Sequence, residues 1–200
     1  MTTSAPAVIA AFGRIARPIM RKFMPRDSCI ASVRTTIEVM RIFRLQAMEI
    51  PVSFVFEVPA KKYARVSGFT TAERNQMRRK SQTWRDDIPP GGGWNGHLIA
   101  VVEGRWIIDP SIDQAHAPEF GVEILPEILV VDISGQPWDP SDQFDVHIGL
   151  TLDNGEAAKL KYRSTKNQSY LDTEAWNDEG LPLLAYAIAS DMGKTAGEPS

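Results

Sequence analysis

A chain of 200 residues with 43% apolar content can bury one sizeable core, and a single main domain is the expectation. Its lone cysteine, Cys29, excludes an intrachain disulfide framework and suits a reducing, cytoplasmic compartment where a thiol stays usable. No apolar stretch approaches the length that a membrane helix needs, so a soluble protein is expected.

The formal net charge of -3 conceals a division along the chain. Up to Arg85 there are sixteen Lys or Arg against five Asp or Glu, and from Asp86 onward six against twenty. One reading is a basic face for an anionic macromolecule. The other, which is favoured, is that the acidic second half wraps round the basic first half and the fields cancel.

Residues 1–26 form an N-terminal segment of their own. Ile9, Phe12, Ile15, Ile19 and Phe23 recur at about helical spacing with Arg14, Arg17, Arg21 and Lys22 among them, which predicts an amphipathic helix packed on the domain. The charges follow the apolar run instead of preceding it, the wrong order for a secretory signal. A basic helix for membrane or transit targeting is the alternative, and Pro18 would allow two short pieces.

Pro25, Asp27 and Ser28 are start signals for a helix, so Cys29 falls in the first turn of the run that follows. Val33, Ile37, Met40, Ile42, Phe43 and Leu45 give that run, Ala31 to Met48, a helical face. At a helix start the positive end of the macrodipole and the unpaired N–H groups favour a thiolate, which is where a reactive cysteine would be put. Ile50-Pro51-Val52-Ser53-Phe54-Val55 then reads as a strand.

Between residues 60 and 90 lies a cluster of basic residues, Lys61 to Arg85, with Thr70 or Thr71 capping a short helix through Gln76 and Trp84. Pro89-Pro90-Gly91-Gly92-Gly93 forbids helix and permits tight turns. Next comes a hairpin. One strand runs from His97 through Val102, the turn is Glu103-Gly104, and the second strand, Arg105 to Ile108, ends at Asp109-Pro110. Antiparallel pairing brings the start of one strand beside the end of the other, so His97 and Asp109 meet at one end of the sheet. An imidazole oriented by a carboxylate is two thirds of a nucleophilic triad, and Cys29 is the candidate for the third member.

Beyond Asp113 further strands are expected at Val122 to Leu125, Ile128 to Ile133, Phe144 to Leu152 and Ala158 to Tyr162, the last two joined at Asp153-Asn154-Gly155. A helical segment starts at Thr173 and includes Trp176, Leu181, Leu184, Tyr186 and Ile188. Residues 193–200 read as a disordered tail, leaving 27–192 as the domain.

Cys29 at a helix start, Ile50-Pro51 leading into a strand, and a hairpin from His97 to Trp106 and Asp109-Pro110 together resemble the transglutaminase-like superfamily of papain-type cysteine enzymes. The likeness spans about residues 27 to 113. Glu49 stands where the family usually has Gly, and Ile30 where an aromatic residue often follows the cysteine. The resemblance implies an α+β fold in which a nucleophile helix packs on an antiparallel β-sheet. It also implies Cys29 as nucleophile, His97 as general base and Asp109 as orienting acid. No glutamine lies between Phe23 and Ser28 to complete an oxyanion hole. The backbone N–H of Cys29 is one candidate donor. Trp94, Asn95 and Gln82 are open alternatives for the second donor and for contact with substrate.

The expected chemistry is acyl transfer from a peptide or other amide or ester substrate, with hydrolysis ahead of cross-linking to an amine and no cofactor. A catalytically silent relative that binds an anionic partner is the second reading. His97, His116 and His147 show no metal-ligand spacing, so no metal site is expected.

Overall fold

The computed structural model of the chain describes residues 4–25, 28–78, 83–86, 94–123, 127–135 and 145–196. It is a mixed α/β structure in which helices cover one face of a bent, mostly antiparallel sheet. No helix among the described residues is long and apolar enough to cross a membrane.

The N-terminal helix α1 (Ala5–Phe23) buries Val8, Ile9, Phe12, Ala16, Arg17 and Met20 against the domain. Pro18 does not divide it: Pro18 and Arg14, whose carbonyl loses its donor, both lie on the exposed side. Helix α2 (Cys29–Ile42) follows. It ends six residues before the expected run to Met48 does, because Arg44 turns left-handed (φ 63°) and Leu45 N donates back to Met40 O at 3.0 Å, a C-terminal lock formed without glycine.

Strand β1 (Ala47–Val58) is the spine of the sheet. It pairs along one edge with β8 (Ala157–Ser164). Along the other edge β2 (Tyr63–Ser67) and β4 (His97–Val102) lie end to end, facing Phe54 to Val58 and Ala47 to Val52 respectively. Ser67 Oγ donates to Gly96 O across that junction at 2.9 Å. Helix α3 (Thr71–Arg78) is capped by Thr70 and Glu73, each reaching the other's backbone N–H, but it stops short of Trp84, which belongs to strand β3 (Thr83–Asp86), parallel to β2.

The predicted hairpin is present: β4 pairs with β5 (Trp106–Asp109), which pairs with β6 (Leu129–Asp132). Glu103 and Gly104 both have positive φ, 53° and 59°, the backbone twist that two-residue hairpins require. Glu103 is held there from its side chain, which accepts from Gln46 N at 2.6 Å. Strands β7 (Asp145–Thr151) and β8 form the second hairpin, turning at Gly155 (φ 81°). Of the strand expected from Val122 to Leu125, Val122 makes an isolated bridge with Ala117, and residues 124–125 lie outside the described residues.

Thr173 caps a one-turn helix, α4 (Glu174–Asn177), and α5 (Leu181–Ala196) closes the fold. Its Leu181, Leu184, Ala185, Ile188 and Met192 recur at helical spacing and are buried. The helix extends to Ala196, so the first residues of the expected tail are helical, and 197–200 lie outside the described residues.

The sheet separates two apolar cores. Leu98, Ala100, Val102 and Ile108 face α1, α2 and α5 together with Cys29, while Ile99, Val101, Ile107, Phe54 and Tyr162 fill the opposite side. Ion pairs across the charge division, Arg17 and Arg21 with Asp113, Arg21 with Glu127, and Lys61 with Glu156, join the basic first half to the acidic second half.

Candidate active site

Cys29 is the first residue of α2. The hydroxyl of Ser28, the N-cap position, does not cap this helix; it donates instead to Pro25 O at 2.7 Å. A helix start without its side-chain cap keeps N–H groups available to an incoming oxygen. Cys29 is buried, 8% exposed as a residue.

His97 is the first residue of β4, and β5 ends at Asp109. Ala100 faces Ile108, and continuing that register sets Asp109 opposite Ile99, diagonal to His97 on the same face. The two side chains meet across that diagonal, His97 Nε2 to Asp109 Oδ2, at 2.7 Å. His97 is 2% exposed and Asp109 fully buried.

Four donors converge on the carboxylate. His97 Nε2 and the Tyr162 hydroxyl both reach Oδ2, the latter at 2.5 Å, while Ser111 N and Ser111 Oγ reach Oδ1 at 3.0 and 3.3 Å. Burial alone would raise the carboxyl pKa, but the His97 charge and these hydrogen bonds outweigh it and hold the group below its ordinary range. Asp109 is therefore ionised and accepts from all four. Nε2 must carry the hydrogen of the His97 contact, which leaves Nδ1 as the ring nitrogen available to take a proton.

The imidazole responds to the same arrangement. Burial pulls its pKa down, yet the charge and hydrogen bond of Asp109 more than reverse this, and the Cys29 sulfur adds a hydrogen bond and a charge effect of the same sign, pushing it up to about 10. The ring lies 5.0 Å from Phe54 and stacks on Tyr162, centroids 6.1 Å apart and planes 5° from parallel. His97 thus bonds the Asp109 carboxylate directly, and the Cys29 sulfur lies close enough to act on the titration of the ring.

The three candidate donors fare differently. Trp94 packs against the same apolar cluster as Cys29, edge-on to Tyr170 at 5.6 Å, and its buried Nε1–H has no acceptor among the described residues. It folds over Gly96, where an added Cβ would stand 2.5 Å from the indole ring. Asn95 instead serves the backbone, its Oδ1 accepting from Gly68 N at 3.1 Å. Gln82, like the Pro89 to Gly93 turn, lies outside the described residues.

An apolar cavity of about 660 Å³ opens beside the head of α2, lined by Met24, Ser28, Ala31, Leu181 and Leu184 among others. Among the described residues no group of three His, Cys, Asp or Glu side chains is placed to hold a metal ion.

Tyr162 and Ser111 escaped the sequence reading. Ser111 had a local signal, since a residue two after an Asp commonly donates to its carboxylate. Tyr162 had only the alternation Ala158, Leu160, Tyr162, which shows that it faces inward and says nothing of what it meets. No protein-family model matches the chain, and neither a curated protein nor a solved structure matches it.

Proposed function

We propose that this chain is a cysteine-dependent acyl-transfer enzyme with a papain-like, transglutaminase-like core, acting on an amide or ester carbonyl. The observation that carries the reading is the 2.7 Å contact of His97 with the buried Asp109 carboxylate, with the Cys29 sulfur acting on the same ring. A lone buried cysteine is usually a small apolar residue, but a structural thiol needs no imidazole beside it, and a structural histidine needs no sulfur.

In this mechanism the Cys29 proton already rests on His97 Nδ1, as the raised pKa of the ring favours, and the thiolate attacks the carbonyl carbon. The resulting oxyanion is met by the Cys29 N–H at the head of α2. The imidazolium, steadied by Asp109, returns the proton to the leaving amine or alcohol, and a thioester remains. Water or an amine then attacks the thioester, His97 taking its proton, and Cys29 is released.

A silent module with a basic binding face is the weaker reading, because Arg17, Arg21 and Lys61 already pair with Asp113, Glu127 and Glu156. Alkylation by iodoacetamide at graded pH, with the adduct mapped to Cys29, is the test. The expected result is a Cys29 rate at neutral pH well above that of a free thiol, and one that drops in His97→Ala. A rate no faster than a free thiol's, unchanged in His97→Ala, overturns the proposal.

A further inference from the structure

We propose that Tyr162 is a positioning residue of this site: its hydroxyl and its ring together hold the Asp109 carboxylate and the His97 imidazole in the one orientation that presents Nδ1 to Cys29. The inference rests on the acyl-transfer reading. A carboxylate bonded to an imidazole alone can turn about its Cβ–Cγ bond and carry the ring with it. Here both oxygens are pinned, Oδ1 by Ser111 at 3.0 and 3.3 Å and Oδ2 by the phenol at 2.5 Å, so the line from Oδ2 to Nε2 is fixed. Rotation of the ring about that line is limited by the Tyr162 face, 5° from parallel at 6.1 Å, and by Phe54 at 5.0 Å on a tilted plane. Direction and plane of the imidazole thereby both depend on one side chain.

The backbone explains why Tyr162 can do this. It sits in the interior of β8, facing Phe54 of β1 on one side and Val146 of β7 on the other, and it is fully buried. A phenol carried by the middle of a sheet moves less than one on a loop. Burial first, and Asp109 second, raise its pKa well above the ordinary value, so the hydroxyl keeps its proton and acts as a donor at any working pH.

The same bond has an electrostatic consequence. Oδ2 is shared between the phenol and Nε2, so the phenol draws off part of the negative charge that stabilises the imidazolium. The titratable groups facing the ring are Cys29 from α2, Asp109 from β5 and Tyr162 from β8. Loss of the hydroxyl strengthens the carboxylate's hold on the imidazolium and moves the His97 titration upward.

Two readouts test this: His97 titration followed by NMR of its ring carbons, and the rates of iodoacetamide alkylation and p-nitrophenyl acetate turnover across pH. In Tyr162→Phe, which keeps the ring and loses the hydroxyl, His97 should titrate about half a unit to one unit higher. Turnover of the ester should fall about tenfold at its optimum, with KM little changed. Site-specific 3-fluorotyrosine, a stronger donor of almost the same shape, should move the titration the other way; it keeps the hydrogen bond and so covers the case in which the Phe variant fails to fold. Opposite displacements by the two replacements support the role, because a merely structural tyrosine would not order them by donor strength. A titration and pH profile that neither replacement moves, with only thermal stability lost, overturns it. A wild-type Cys29 that is not activated at all, and is indifferent to His97→Ala, is a different outcome: it fails the acyl-transfer reading itself and takes this inference with it.

Discussion

Arg17 in α1 and Asp113 in the turn after β5 form a buried two-pronged ion pair, with Nη2–Oδ1 at 2.6 Å and Nε–Oδ2 at 3.2 Å, both side chains no more than 2% exposed. Arg21 joins the same carboxylate at 2.9 Å. The contact fastens the N-terminal helix to the segment that leaves Asp109, four residues after the acid of the site. Breaking a buried pair from one side strands the other charge, so Arg17→Met should cost about 3 kcal/mol of unfolding free energy. Arg21 keeps the loss from being larger. Urea denaturation measures it, and the double variant Arg17→Met/Asp113→Leu should lose clearly less than the sum of the two singles.

Asp109→Asn separates charge from shape. With the carboxylate gone, burial of the imidazole is opposed by the Cys29 sulfur alone, and the His97 titration should fall well below about 10. Cys29 alkylation at neutral pH should slow on the order of a hundredfold, since the ring loses both its orienting partner and the charge that stabilises its protonated form. An alkylation rate within twofold of wild type would show that the acid does not serve the thiol.

Stability should depend on pH in a direction set by the same two groups. The His97 pKa is raised in the folded state, so its contribution is fully present below 6.5 and is lost as pH rises toward about 10. The Asp109 pKa is depressed, so its contribution is present above 3.8 and is lost as pH falls below that. Thermal melts should therefore place the maximum between these limits, with an alkaline decline that His97→Gln flattens. A wild-type melting temperature that stays level between pH 6.5 and about 10 would contradict the pairing.

Gly96 is demanded by Trp94 and not by its own backbone. A Cβ there would sit 2.5 and 2.8 Å from the indole, so Gly96→Ala should push the ring away and cost about 1–3 kcal/mol. In a Trp94→Ala background the same change should cost almost nothing.

Much of the local structure was legible from the chain alone. Alternation and the Glu103-Gly104 turn specify the His97 to Asp109 hairpin, because side-chain direction in a strand follows a period of two and positive φ at the turn matches the strand twist. Capping residues marked the start of α2 at Cys29, and the spacing of Ile9 and Phe12 marked the buried side of α1. Helix ends were less legible: the stop of α2 at Ile42 rests on the left-handed Arg44, a conformation that its residue type does not announce.

What only the tertiary structure decided is which distant groups share a pocket. Tyr162 lies 53 residues from Asp109, Arg17 lies 96 from Asp113, and Cys29 reaches His97 from another element. Sequence periodicity reports whether a side chain faces inward, since burial of apolar surface has no direction beyond in and out. A hydrogen bond depends on distance and angle, and those are set by how the sheet bends around β1 and where α2 comes to rest on it.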